Sequence, residues 1–229
     1  MTQTKTQTYH SRIVSKNNAG LYLSQNISFP SQIQTIGADA FYRKSSIKSV
    51  KFPVGLENIC SRAFYGCFQL TELQLHEGLT KLGKQAFEEC RAVHTLTLPS
   101  TLTSISERTF YRCKSLKNVS FSEGLQDIGK EAFYFCAMEQ LDLPDSLQVI
   151  GDRAFFKCNH LTFVRLPENI QYIGNEAFHG CNRLKVLEIR HDPDFIGDAI
   201  VNRSAVIRCF EGSAADRYCK HNNLETEYI

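Results

Sequence analysis

The chain carries almost no net charge: 26 Lys plus Arg stand against 24 Asp plus Glu, a formal balance of +2. That excludes the strong field that steers nucleic acid or an anionic membrane surface to a protein, so neither partner is expected. Long apolar runs are missing as well. The longest, Ala132 to Met138, falls far short of the ~20 residues a membrane-spanning helix needs, so no membrane insertion is expected. The first twenty residues lack the apolar stretch of a secretory leader. The chain as it stands therefore reads as intracellular, and as a surface or secreted protein if a leader has been removed. Cysteine is too sparse for a stapled secreted scaffold, nine in 229 residues, below the roughly 8–10% that marks one. Nor is there a nucleophile elbow, a phosphate loop, an HExxH pair or a Cys-x₂₋₄-Cys pair, and the seven histidines are scattered. No enzyme, no metal and no cofactor is expected.

What the sequence has is a repeat. With 42% apolar and 22% charged residues the chain can bury a core. Ala-Phe recurs at Ala40-Phe41, Ala63-Phe64, Ala86-Phe87, Ala132-Phe133, Ala154-Phe155 and Ala177-Phe178, and Thr109-Phe110 fills the gap. Successive phenylalanines lie 23, 23, 23, 23, 22 and 23 positions apart, inside the 20 to 29 range of leucine-rich repeats. An Ile-Gly pair, or a variant of it, precedes each Ala-Phe and reads as a turn, as in Ile36-Gly37 and Ile173-Gly174. An apolar-x-x-apolar-x-apolar pattern recurs too, from Ile47/Val50/Phe52 to Leu184/Leu187/Ile189. Proline often ends it, as Pro53, Pro99, Pro144 and Pro167 do, because proline has no N–H to give a ladder.

A unit this short cannot bury its own apolar face, so the units must stack, like residues one strand spacing apart. The fold class expected is an α/β repeat. It is a leucine-rich-repeat solenoid of about eight coils of roughly 23 residues, with a parallel sheet on one face, short helical turns and a small C-terminal helical cap. The seven motif phenylalanines form an aromatic spine inside it. Residues 27–203 make the solenoid and 204–229 the cap, while residues 1–26 form a cap or stay disordered. Gly212-Ser213 is placed to start a short helix running to about His221, because a serine hydroxyl caps free N–H groups.

The unit Ala-Phe-x-x-Cys-x-x-Leu-x-x-Leu-x-Leu-Pro, with Ile-Gly before the next Ala-Phe, resembles the BspA-like leucine-rich repeat family over roughly residues 27 to 200. The tail from Val206 to Leu224 resembles that family's C-terminal cap. The resemblance implies a binding protein, with adhesion or host-protein binding as the role.

Six cysteines, Cys67, Cys90, Cys113, Cys136, Cys158 and Cys181, sit three residues after a motif phenylalanine. They read as a buried ladder of free thiols, since parallel side chains one coil apart stay too far apart for the ~3.8 Å Cβ separation of a disulfide. Reduced thiols fit a reducing compartment. Cys209 and Cys219 are also expected to stay unpaired.

With the core columns assigned, function falls to the outward positions. On the strand face Phe163 and Val186 share a column and make a local apolar patch, beside the alternating charges Asp142, Arg165 and Glu188. This patch is the candidate surface for a macromolecular partner, most readily a protein. A second column just after the motif phenylalanine carries Tyr42, Tyr65, Tyr111, Tyr134 and Phe156, interrupted by Glu88. The alternative reading is a glycan or cell-envelope adhesin that uses these rings.

Overall fold

The computed structural model describes residues 11–229, so His10 and the first ten residues of the 1–26 segment lie outside the described residues. Each coil carries two strands rather than one. Three-residue strands such as Ser49–Lys51 and Glu72–Gln74 form one parallel ladder, and two-residue strands such as Asn58–Ile59 and Lys81–Leu82 form another. Among the described residues nine of the short strands occur, from Ile13–Val14 to Phe195–Ile196, which makes about nine coils against the eight expected. Ile13–Val14 pairs with Thr35–Ile36, so the coil register already runs before residue 27.

The second ladder corrects the reading of Ile-Gly as a turn. The isoleucine is the buried end of a short strand, as at Ile36 and Ile173. The residue after it lies against the preceding coil. A Cβ on Gly174 would stand 2.4 Å from the Asp152 nitrogen, and one on Gly83 2.4 Å from that of Ser61, so glycine permits the close approach. Cys60 and Ser106 stand in the same column with side chains. At Ser106 the hydroxyl is used, donating to the Leu82 carbonyl at 2.5 Å.

The third side of each coil is a turn face; the first described coil keeps a short helical turn there, a 3-10 helix over Ala19–Tyr22, and from Gly37 onward the helical turns that were expected are replaced. Two residues in each of seven successive coils have positive φ, as at Arg62 (φ 55) with Gly66 (φ 69) and Arg108 (φ 56) with Arg112 (φ 56). Left-handed residues at that interval forbid a helix, and each non-glycine one costs about 1–2 kcal/mol. Hydrogen bonds between coils offset the cost. The N–H groups of Asp39, Phe41 and Arg43 donate to the carbonyls of Ser61, Ala63 and Tyr65 on the next coil. Those of Arg62, Phe64 and Gly66 donate onward to Lys84, Ala86 and Glu88. The intervening N–H groups close turns within the coil, as Ala40 does on Gly37.

The core between the three faces is the aromatic spine. Phe41, Phe64, Phe87, Phe110, Phe133, Phe155 and Phe178 are each fully buried. Neighbouring rings stack with centroids 5.1–5.7 Å apart. Thr109, standing in an alanine column, is also buried, its hydroxyl spent on the Ser106 carbonyl at 2.8 Å.

One coil is short. Between Phe133 and Phe155 the spacing is 22, and the residue lost lies after Cys136, where Cys-x-x-Leu becomes Cys136-Ala137-Met138. The turn into the long strand is tightened, and no strand forms over 140–142 although Leu141 is still buried. The long ladder resumes at Phe163–Arg165 and continues through Val186–Ile189, Val206–Cys209 and Thr226–Tyr228. Helix α1, Ala214–Asn222, closes the last coil: the Ser213 hydroxyl accepts from the Asp216 N–H at 3.2 Å, which is the expected cap. Asp216 then accepts from Lys220 at 2.8 Å, the Gly212 N–H at 2.8 Å and the Tyr228 hydroxyl at 3.1 Å. Led by Lys220, these partners hold its carboxyl below the usual range.

Candidate functional site

The long-strand face brings the apolar candidates together. Phe163 pairs in register with Val186, and Val186 with Val206 of the cap, so the outward column is three residues long. Phe163 is 41% exposed, and Val186 and Val206 are half-buried. Sequence reasoning missed Val206. The signal was present, since Val206-Ile-Arg-Cys continues the strand alternation.

The neighbouring charged column differs from expectation. Arg165, Glu188, Arg208 and Glu227 lie in register on four strands. Glu188, expected to point outward, is fully buried beneath arginines. It accepts from Arg165 Nε at 2.6 Å, Arg190 Nε at 2.7 Å and Arg208 Nη1 at 3.2 Å, and Arg208 Nη2 reaches Glu227 at 2.9 Å. Burial pushes the Glu188 carboxyl up, but the hydrogen bonds from the three arginines outweigh it and hold the group below its ordinary value. Glu188 is thus a positioning residue that fixes three guanidinium groups beside the apolar column. Asp142 is not brought into this ladder: it is exposed on the short coil, and Arg165 pairs with Glu188 instead.

On the turn face the aromatic column stacks on itself. Tyr42 lies 4.9 Å from Tyr65, Tyr111 4.5 Å from Tyr134, Tyr134 5.0 Å from Phe156, and Phe156 5.7 Å from His179. Both faces of Tyr134 and of Phe156 are therefore covered by neighbours. Glu88 divides the column because it is buried, accepting from Arg108 at 2.9 Å, while Arg108 lies 4.0 Å over the Tyr111 ring. Burial raises the Glu88 carboxyl above its usual value, against Gln85 and Arg108.

A model of the BspA-type leucine-rich repeat region matches residues 20–106 and 80–207. The chain belongs to the BspA-type leucine-rich repeat family. No curated protein matches it. Among solved structures, a leucine-rich repeat protein from Bacteroides ovatus is 21% identical with a TM-score of 0.68, over 89% of this chain and 60% of that one. A leucine-rich cell surface protein from Faecalibacterium prausnitzii is 18% identical with a TM-score of 0.56, over 94% of this chain and 82% of that one. The pneumococcal vaccine antigen PcpA is 19% identical with a TM-score of 0.51, over 89% and 67%. The chain thus spans 60% of the length of the Bacteroides ovatus protein. Among the described residues no helix is long and apolar enough to cross a membrane.

In this BspA-type chain the cysteine ladder is part of the core. Each thiol donates to the carbonyl of the phenylalanine on the preceding coil, from Cys67 on Phe41 at 3.4 Å to Cys181 on Phe155 at 3.2 Å. All nine cysteines are free, and eight are buried. Burial pushes Cys67 and Cys181 up to about 12 and Cys113 higher. Such thiols are poor nucleophiles out of reach of oxidants, so they stay reduced in either redox compartment and do not report on one. Alkylation of the native protein followed by mass spectrometry should modify Cys60, the half-exposed thiol, and leave the other eight until the chain is unfolded. Rapid native labelling of Cys113 would refute the buried ladder.

The repeat also sorts its charges onto the two rims of the long-strand face. The rim toward the turn face carries Lys44 and Lys48 on one coil, Lys114 and Lys117 on another and Arg183 and Lys185 on a third. Arg91 and Arg203 add to it, Glu139 is its one acid, and all of these are exposed. The opposite rim carries Glu57, Glu77, Glu123, Asp145 and Glu168, followed by Asp192 and Asp194, with Arg190 its one strong base. The near-zero net charge hides this separation.

Proposed function

We propose that this chain is a non-enzymatic scaffold that binds a protein partner through the C-terminal part of its long-strand face. The observation that carries the reading is the apolar column Phe163, Val186 and Val206 beside three arginines fixed by one buried carboxylate. Aromatic and arginine side chains are enriched where protein interfaces concentrate their affinity. Holding Arg165, Arg190 and Arg208 in place beforehand lowers the entropy lost when a partner docks. Adhesion at a cell surface is the setting this reading favours, because two similar solved proteins are described as a cell surface protein and a vaccine antigen.

The test compares partner capture by the native chain and by a Phe163→Glu/Val186→Lys double variant whose melt is unchanged. Both positions face outward, so the fold should survive. A protein retained by the native chain and lost from the double variant is the expected result. Equal capture by both would remove this face from consideration.

A further inference from the structure

One junction is held together differently from the others. Glu72–Gln74 pairs only with Ser49–Lys51 on the coil before it, and Thr95–Thr97 only with Asn118–Ser120 on the coil after it. The short strands stop at the same place: Lys81–Leu82 ends one sheet and Ser104–Ile105 begins the next. The short coil also interrupts the long ladder, but there Asp127–Ile128 still pairs with Val149–Ile150. Among the described residues both ladders lapse together only between the coil of Phe87 and the coil of Phe110.

The backbone bonds show the same gap. Lys117 and Asn118 both donate their N–H groups to the His94 carbonyl, and Gln126 and Asp127 to that of Thr103. The equivalent N–H groups of His94, Thr95, Thr103 and Ser104 reach no backbone carbonyl of the coil before them. Ser106 supplies a cause on the short-strand side. Seven residues of its column, Gly37, Cys60, Gly83, Gly129, Gly151, Gly174 and Gly197, donate their N–H to the preceding coil at 2.7–2.8 Å. Ser106 gives the Leu82 carbonyl its hydroxyl instead, and a side chain that takes a backbone acceptor competes with the ladder. Clefts of about 670 Å³, at Leu73, Gln74, Thr95 and Thr97, and about 510 Å³, at Lys81, Gly83, Ser104 and Ser106, flank the junction on the two strand faces. Phe87 and Phe110 are the most widely spaced neighbours of the spine, at 5.7 Å.

The turn face, by contrast, is fully tied across this junction. Gln85, Phe87 and Glu89 donate to the carbonyls of Glu107, Thr109 and Tyr111. Glu88 pairs with Arg108 at 2.9 Å, Glu89 with Arg112 at 3.4 Å and Lys84 with Glu107 at 3.0 Å. At the opposite edge, where the two strand faces meet, only loop contacts that use a side chain cross. The Ser100 hydroxyl and N–H donate to the Glu77 carboxylate at 2.8 and 3.1 Å, and the Thr101 hydroxyl accepts from the Gly78 N–H at 3.2 Å.

We propose that the rod has one joint, between the coils of Phe87 and Phe110, with the turn face as its hinge and the Glu77–Ser100 contact as its clasp. The coils on either side swing as two rigid arms, on the microsecond to millisecond scale of hinge motions. Water fills the opened ladder and satisfies its free backbone groups. The column Phe163, Val186 and Val206 lies wholly on the C-terminal arm, so bending at the joint moves the polar strand face of the N-terminal arm relative to it.

Hydrogen exchange of the full chain, read residue by residue, tests the joint. Relative to intrinsic rates, His94, Thr95, Thr103 and Ser104 should exchange at least about tenfold faster than Lys117, Asn118, Gln126 and Asp127 one coil on. Ser106→Gly returns the Leu82 carbonyl to a backbone donor. It should slow exchange by about 3–10-fold, the worth of one hydrogen bond, at Ser104 and equally at Thr95 on the other strand face. Glu77→Ala frees the clasp and should speed both by a similar factor, leaving Asn118 and Asp127 within about twofold; it decides the matter if the glycine variant misfolds. Spin labels on a Cys60→Gly background give the second readout. A pair at Thr35 and Asp127 spans the joint and should show a broader distance distribution than a pair at Ser104 and Phe195, which spans as many coils within one arm. Effects of Ser106→Gly confined to its own face, or equal widths for the two label pairs, would overturn the joint.

Discussion

Phe110→Ala is expected to lower stability by about 3–5 kcal/mol, the largest loss from any single truncation of the spine. The ring is fully buried and sandwiched, 5.7 Å from Phe87 and 5.4 Å from Phe133. Relaxation cannot fill the void, because the backbone on each side is tied to the next coil by hydrogen bonds: Phe87 donates to Thr109, and Phe110 to Ala132. A solenoid's stability is approximately a sum over coils and the contacts between neighbours. A mid-rod cavity therefore weakens two contacts at once, whereas the same change at Phe41 weakens one on the spine's C-terminal side. Thr97→Ala, an exposed strand position, should be nearly silent. Chemical denaturation of the three proteins tests the assignment: a Phe110→Ala midpoint equal to that of Thr97→Ala would refute a continuous spine.

Removing residues 204–229 should have the other large effect, and one of a different kind. Val206–Cys209 pairs along the whole of Val186–Ile189, and α1 buries Ala215 and Cys219 against the last coil. The Ile200 N–H loses the Tyr218 hydroxyl that accepts it at 3.1 Å. Truncation thus exposes an open, apolar strand edge, which invites pairing with other chains. The shortened chain should elute from size exclusion as large, polydisperse species that bind hydrophobic dyes. A monodisperse product with an unchanged melt would show that α1 and its strands are dispensable as a lid.

How far these features were legible depends on whether they are local. The 23-residue period, the phenylalanine spine and the thiol column follow from spacing alone, because each coil repeats one inward pattern. Misreading Ile-Gly as a turn came from glycine itself: its lack of a Cβ serves close contact with the neighbouring coil at Gly174, and the isoleucine before it is strand. The turn face misled in the other direction, since arginine and glutamate at Arg62 and Glu131 do not advertise a positive φ. Glu188 was placed correctly in register, yet its burial was invisible. Its cover comes from Arg165, Arg190 and Arg208 on three separate segments, and only packing assembles them. The short coil was written in the sequence as one 22-residue step, but that it costs the long strand over 140–142 shows only once the coils are stacked.

The hydrogen bonds of the turn face have one direction. In three parallel files, through Asp39–Ser61, Phe41–Ala63 and Arg43–Tyr65 and their successors, every N–H points toward the C-terminal coil and every carbonyl toward the N-terminal one. The peptide moments in these files therefore add, as they do along an α-helix, where they amount to about half an elementary charge at each end. Here the sense is reversed: the positive pole lies at the carboxyl end of the rod, where the Tyr218 oxygen meets the last N–H groups, and the negative pole at the amino end, beside Asp39 and Tyr42. The turn face alone carries this axial dipole, and the short-strand face opposes it, because Gly37, Cys60 and Gly83 donate back to Val14, Ile36 and Ile59 on the preceding coil.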